Sequence, residues 1–243
     1  MKKLCIVDQR LSARMEAELM RHGFRTVRLP ANERLSCAVE SHTDMIVFNL
    51  YGELFFTAEY CEDNEQTVAM LHTLLPSYKF HFTADTQSES YPNDCALNAL
   101  LLGDKLFARL DSLSDSIKTR AKELGITLVN TKQGYPACCA LKLNDGAVIS
   151  QDRGLAKALF EKGIKVYIID EGHIELPPHP YGFIGGAGAV FDGVLYFLGD
   201  HRLHPSCDII EKAAKEENLS IVDLCPGCIL RDLGGMIFTC QDI

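Results

Sequence analysis

The sequence predicts a five-bladed α/β propeller of ββαβ units, one unit being divided between the two chain ends. Three observations carry this expectation. Four segments repeat one order of apolar strand, Gly- or Asp-containing turn, second strand, polar link, amphipathic helix and third strand. Each predicted helix follows a two-strand hairpin, whereas an open doubly wound sheet alternates strand, helix, strand. The two ends of the chain hold complementary halves of a further unit, and joining them leaves no sheet edge exposed.

The N-terminus reads as a strand at Leu4–Asp8, a helix over about Ser12–His22 stopped by Gly23, and a strand at Phe24–Leu29. The next unit, 44–84, turns at Tyr51-Gly52 and carries a helix from Glu65 to about Leu75. Unit 94–131 turns at Gly103-Asp104, with a helix over Ser116–Gly125 and a strand at Ile126–Val129. The plainest unit, 137–170, alternates through Cys139–Leu143 and turns at Asn144-Asp-Gly146 into Ala147–Ser150. Its helix, Gly154–Gly163, sets Leu155, Ala158 and Leu159 at helical spacing, and Ile164–Asp170 closes it. Unit 182–224 turns at Phe191-Asp-Gly193 and has a helix over Cys207–Asn218. The C-terminus, about 225–240, offers a strand at Cys228–Asp232, a Gly234-Gly235 turn and a strand from Met236 to Thr239, then stops. It pairs with 4–29, and the expectation is one domain over 1–243.

Composition limits the function classes. The 243 residues include 33 acidic against 24 Lys and Arg, a net charge of -9, and 47 % are hydrophobic, which is ordinary globular usage. With no block of clustered Lys and Arg, nucleic-acid binding is not expected. No uncharged run approaches the roughly 18–20 apolar residues of a membrane span, so no membrane partner is expected either. Leu4–Val7 is too short for a signal-peptide core, and ten cysteines without an export signal point to reduced thiols in a cytoplasm.

Several segments resemble a known group: Ser41-His-Thr-Asp-Met45, Tyr91-Pro-Asn-Asp94 with Asn98, Gln133-Gly-Tyr-Pro-Ala-Cys138, Glu171-Gly-His-Ile174, Tyr181-Gly-Phe-Ile-Gly-Gly186 and Gly199-Asp200. Together with the five units they resemble the pentein fold of guanidine-modifying enzymes, which includes arginine deiminases, amidinotransferases and dimethylarginine dimethylaminohydrolases. The closer resemblance is to an uncharacterised bacterial family assigned to that fold.

Residues counted back from the hairpin glycines should meet near the axis. Eight positions before Gly52, Gly146 and Gly193 stand Asp44, Cys138 and Gly185; nine before Gly103 stands Asp94, and seven before Gly235 stands Cys228. The resemblance implies a cysteine nucleophile at a first-strand start, attacking a guanidinium carbon to give a covalent thiouronium adduct, and Cys138 matches that placement. His42 takes the acid/base role, with Asp44 beside it. The substrate-binding set is Asp94, Asn98, Glu171, His173, Gly185, Gly186 and Asp232, which suits a small cationic, guanidino-type ligand.

Bland readings stand beside these: a buried thiol pair at Cys138-Cys139, an Asx turn at His42-Thr-Asp44, and a rigid prolyl crossover around Glu171 and His173. Gly182–Gly188 is not a nucleotide loop, because a hairpin rather than a helix follows it, and no cofactor is expected. A catalytically silent binding module is the alternative function. A structural zinc site at Cys207, Cys225 and Cys228 ranks third, behind a plain turn with incidental thiols.

Overall fold

The computed structural model describes residues 2–241 of the chain; residues 1, 242 and 243, included in the expected 1–243 domain, lie outside them. The strands are β1 (Lys2–Asp8), β2 (Phe24–Leu29), β3 (Phe48–Leu50), β4 (Glu53–Thr57), β5 (Lys79–Thr83), β6 (Leu100–Leu102), β7 (Lys105–Ala108) and β8 (Thr127–Asn130), followed by β9 (Ala140–Asn144), β10 (Ala147–Ser150), β11 (Lys165–Ile168), β12 (Gly188–Phe191), β13 (Val194–Phe197), β14 (Ser220–Asp223) and β15 (Ile237–Gln241). The helices are α1 (Ala13–Arg21), α2 (Thr43–Ile46), α3 (Ala58–Asp63), α4 (Glu65–Leu74), α5 (Asp115–Glu123), α6 (Pro136–Cys139), α7 (Arg153–Phe160) and α8 (Cys207–Glu216).

The strands form five three-stranded sheets. In each, the middle strand pairs antiparallel with the first and parallel with the third, and a helix makes the parallel crossover. The divided blade joins the two ends: β15 runs antiparallel to β1, and β1 runs parallel to β2.

Side-chain alternation along the middle strands closes the ring. Successive residues of a strand point to opposite faces, so each middle strand feeds two hydrophobic clusters. Leu195 of β13 packs with the blade of β9–β11, while Tyr196 packs with the blade of β1. Leu4 and Ile6 of β1 meet Leu54 and Phe56, whereas Phe55 turns to Leu106 and Ile117. Phe107 meets Val148, and Ile149 returns to Leu195. Every blade is thus sandwiched between two others, which explains why its middle strand reads as an unbroken apolar run.

Local signals set the helix ends. Ser12 and Asp152 cap α1 and α7 by accepting from Met15 N and Leu155 N. Gly125 and Gly163 follow α5 and α7 in the left-handed conformation, φ 74° and 81°, as their sequence positions predict.

The C-terminal half-unit corrects the sequence reading. Cys228–Asp232 is not a strand and Gly234-Gly235 is not a hairpin turn; β15 is the first strand of its blade, and β1 is the second. A divided blade needs no covalent hairpin between those strands. Its glycines instead serve a close approach: a Cβ on Gly234 would strike His42 Cβ and Thr43 N, each at 2.6 Å.

Candidate functional site

A short turn precedes the first strand of each blade, and these turns converge at the axis. They are α2 before β3, Cys95–Asn98 before β6, α6 before β9, Gly185–Ala187 before β12, and Asp232–Gly235 before β15. Close backbone approach depends on missing side chains. A Cβ on Gly185 would overlap the Ala137 carbonyl oxygen, and one on Gly186 would overlap the Asp232 carboxylate. These two glycines therefore bring α6 and Asp232 together.

The Cys138 thiol donates to Asp44 Oδ2 at 2.7 Å. Asn98 Nδ2 lies 3.4 Å from the same sulfur, and its Oδ1 accepts from Ala137 N at 3.0 Å, which fixes the amide orientation. His42 is fully buried, with Nδ1 3.7 Å from Asp232 Oδ1 and no hydrogen-bond partner on either ring nitrogen. Asp232 accepts from Phe183 N at 2.8 Å and Gly234 N at 3.1 Å. Asp94 accepts from Tyr135 OH at 2.5 Å and from the Cys95 thiol at 3.2 Å.

Burial dominates the electrostatics. It pushes the Cys138 thiol well above its ordinary range, and the Asp44 and Asp232 charges push it further in the same direction. Burial raises Asp44 to about 6, against the opposing hydrogen bond from Cys138. Burial likewise raises Asp232 and lowers His42, so the imidazole is held neutral even though Asp232 favours its charged form.

The cluster lies beneath a cavity of about 480 Å³ lined by His42, Cys138, Asp94 and Asp232. Its rim comes from three loops, through Val39, Glu89 with Tyr91, and His179 with Tyr181. Glu89, Asp94 and Asp232 give the wall negative charge, and among the described residues no Lys or Arg lines it. Arg10 props one rim loop from behind, donating to the Cys37 and Ala38 carbonyls at 3.1 and 3.0 Å while paired with buried Asp8. A second cavity of about 440 Å³ is lined by Asp44, Gly185 and Gly234. Cys138 faces the first cavity and Asp44 the second, so the pair spans the wall between them.

Of the residues expected from the sequence, Cys138, His42, Asp44, Asp94, Asn98, Gly185, Gly186 and Asp232 gather here. Glu171 and His173 do not: both are exposed, Glu171 stands behind Tyr181 at 3.4 Å, and His173 packs edge-on against His204. Their loop does form rim, but through His179 and Tyr181. Asn98, not Asp94, occupies the axial level in its blade, one turn nearer the strand. Cys228 is also absent, being bonded to Cys225. In the bonded state neither sulfur is free to ligate a metal, and none of Cys207, Cys225 and Cys228 belongs to a group of three potential metal ligands among the described residues. Cys139 turns away into the cluster shared with β7 and β10. His42, Asp44 and Cys138 offer one donor atom each, all within 4.8 Å of one another, a donor set at the axis that could hold a metal ion. Sequence reasoning missed Glu89, Tyr135, His179 and Tyr181, whose roles depend on loops meeting across blades.

The sequence model of DUF6873, a family of unknown function, matches residues 6–237. The chain belongs to that family. No curated protein matches it. Among solved structures it is similar to a Cys-to-Ser variant of dimethylarginine dimethylaminohydrolase from Pseudomonas aeruginosa in complex with citrulline, with TM-score 0.56, 10 % identity, and 92 % of this chain and 91 % of that chain covered. It is also similar to SxtG, an amidinotransferase of saxitoxin biosynthesis from Microseira wollei (TM-score 0.56, 11 % identity, coverage 91 % and 88 %). A third likeness is to the N-terminal domain of the cyanobacterial arginine dihydrolase ArgZ (TM-score 0.55, 12 % identity, coverage 92 % and 90 %). The DUF6873 chain therefore has the pentein fold. Among its described residues no helix is long and apolar enough to cross a membrane.

Proposed function

We propose that this DUF6873 chain is a cysteine-dependent enzyme of guanidino or amidino compounds, a hydrolase or amidinotransferase working in the cytoplasm. One observation carries the reading: a thiol and a carboxylate in direct contact, flanked by a buried imidazole, beneath a cavity whose charged wall is acidic. The fold is that of neighbours whose names describe guanidino chemistry.

In this reading Asp94 and Asp232 hold the guanidinium, and Asn98 holds the Cys138 sulfur in place. Without ligand, burial and the surrounding carboxylates keep the thiol protonated. A bound cation offsets those charges, and the Cys138 proton passes to Asp44, whose raised pKa suits it to accept. The thiolate forms a C–S bond at the guanidinium carbon while that carbon's π electrons move to nitrogen. Collapse breaks one C–N bond, and the amine leaves with the proton held at Asp44. The resulting thiouronium is attacked by water, which gives its proton to neutral His42. The C–S bond then breaks, releasing a ureido product and the free thiol. An amine in place of water gives amidino transfer.

The test is a panel of guanidino and amidino compounds, followed by released amine or ammonia and by intact mass after acid quench. An adduct on Cys138 with turnover is expected, and Cys138→Ser should bind but not turn over. Binding without any adduct or product in the wild type would instead favour a catalytically silent binding module, which the raised thiol pKa also suits.

A further inference from the structure

The segment Cys225-Pro226-Gly227-Cys228 closes a disulfide, while the other eight cysteines are free. The two sulfurs sit in unlike surroundings. Cys225 is 4 % exposed and packs with Leu198 and Leu224. Cys228 is half-buried, at a turn where Pro226 and Gly227 are exposed, as is Ile229 beyond it. Arg14 reaches over from α1, donating from Nη2 to the Pro226 carbonyl at 2.8 Å and bringing Nη1 to 3.9 Å from Cys228 Sγ. Among the described residues no carboxylate pairs with Arg14, and the nearby Asp200 carboxylate is paired with Arg202. A fixed cation favours a thiolate, and apolar burial disfavours one. The turn itself is anchored by Gly227 N donating to Asp200 Oδ2 at 2.8 Å.

We propose that Cys225 and Cys228 are a reversible two-electron dithiol–disulfide centre acting on small external disulfides, with Cys228 the attacking sulfur and Cys225 the resolving one. In the reduced chain the Cys228 thiolate, beside Arg14, attacks one sulfur of the external disulfide. That S–S bond breaks, one external thiolate leaves, and a mixed disulfide forms on Cys228. Cys225 gives its proton to the departing thiolate and attacks Cys228 Sγ. The mixed disulfide breaks, the second external thiolate leaves and takes a proton from water, and the internal disulfide is restored. Two electrons pass from the protein dithiol to the external disulfide. A small dithiol drives the reverse. This centre is independent of the axial site and of the function proposed for it.

The experiment reduces the native full-length chain with dithiothreitol, removes the reductant, adds glutathione disulfide and maps every cysteine by mass spectrometry. The wild type should regain the Cys225–Cys228 bond with no lasting adduct there. Cys225→Ser should accumulate one glutathione on Cys228, and Cys228→Ser should modify Cys225 at least about tenfold more slowly. Arg14→Gln should slow the first step. Brief iodoacetamide labelling of the reduced wild type, which needs no variant, should favour Cys228 over Cys225. A disulfide that dithiothreitol reduces only after unfolding would overturn the proposal. So would equal reactivity of the two sulfurs, or a stable glutathione adduct on Cys228 of the wild type.

Discussion

The Cys138 thiol and the Asp44 carboxylate, 94 residues apart in sequence, share a hydrogen bond of 2.7 Å across the axis. The Asp44 charge makes the thiol harder to ionise, while the hydrogen bond from the thiol favours the ionised carboxylate. The thiol is raised well above its ordinary range partly by the Asp44 charge, and burial raises Asp44 to about 6. In the proposed reaction a bound cation offsets those charges and frees the thiol to ionise.

Asp44→Asn removes one charge and leaves an amide oxygen able to accept the thiol proton. The Cys138 thiol should then ionise at lower pH, and its alkylation at pH 8 should rise about tenfold. Turnover, if Asp44 carries the proton, should fall by about a hundredfold or more. Per-cysteine mass spectrometry and a steady-state assay read the two effects, which move in opposite directions.

Buried Asp44 and His42 together predict a pH signature in stability. Burial raises the folded pKa of Asp44 above its ordinary value of 3.8, so its contribution worsens as pH rises from about 3.8 to about 6 and is level beyond. His42 has a folded pKa below 6.5, so its contribution is lost as pH falls below 6.5. Chemical denaturation from pH 4 to 8 should show that Asp44→Asn steepens the loss on acidification. His42→Asn should flatten or reverse it.

Gly185 permits α6 to touch the axis. Gly185→Ala places a methyl into the Ala137 and Cys138 carbonyls and should cost about 2–3 kcal/mol in urea unfolding. At Gly146 a Cβ meets only Asn144 Oδ1, at 3.6 Å, so Gly146→Ala should change stability by less than about 1 kcal/mol.

Three acids and, among the described residues, no Lys or Arg stand on the cavity wall, so the cavity offers no fixed cation to a carboxylate. A guanidino amine should therefore bind at least about tenfold more tightly than the corresponding guanidino α-amino acid, with affinity falling as salt rises. Titration calorimetry of such a pair checks this.

How far the sequence carries can be seen at particular residues. Leu195 and Tyr196 serve different neighbours because strand periodicity sends them to opposite faces, so the blades were legible locally. Ring closure was legible because each chain end lacked what the other supplied. The level of Asp44, Cys138 and Gly185 followed from equal hairpin spacing. The same counting failed at Cys228, because the divided blade has no hairpin glycine from which to count. It failed also at Asp94, where the turn before β6 sets Asn98 at the axis. Glu171 and His173 were misplaced, and Tyr181 and His179 missed, because a long connection fixes which residues face inward only through contacts with other blades. The bond between Cys225 and Cys228 likewise depends on the turn that Asp200 anchors.

The most direct test of the central claim compares two alkylating reagents on native protein: neutral iodoacetamide and cationic 2-chloroacetamidine, read at each cysteine by mass spectrometry. Exposed Cys37 serves as the internal reference. A cation that brings its own charge into the acidic cavity should label Cys138 at least about tenfold faster than the neutral reagent, relative to Cys37. Asp232→Asn should diminish the preference. A Cys138 inert to both reagents in the native chain, yet fully labelled once unfolded, would contradict the account.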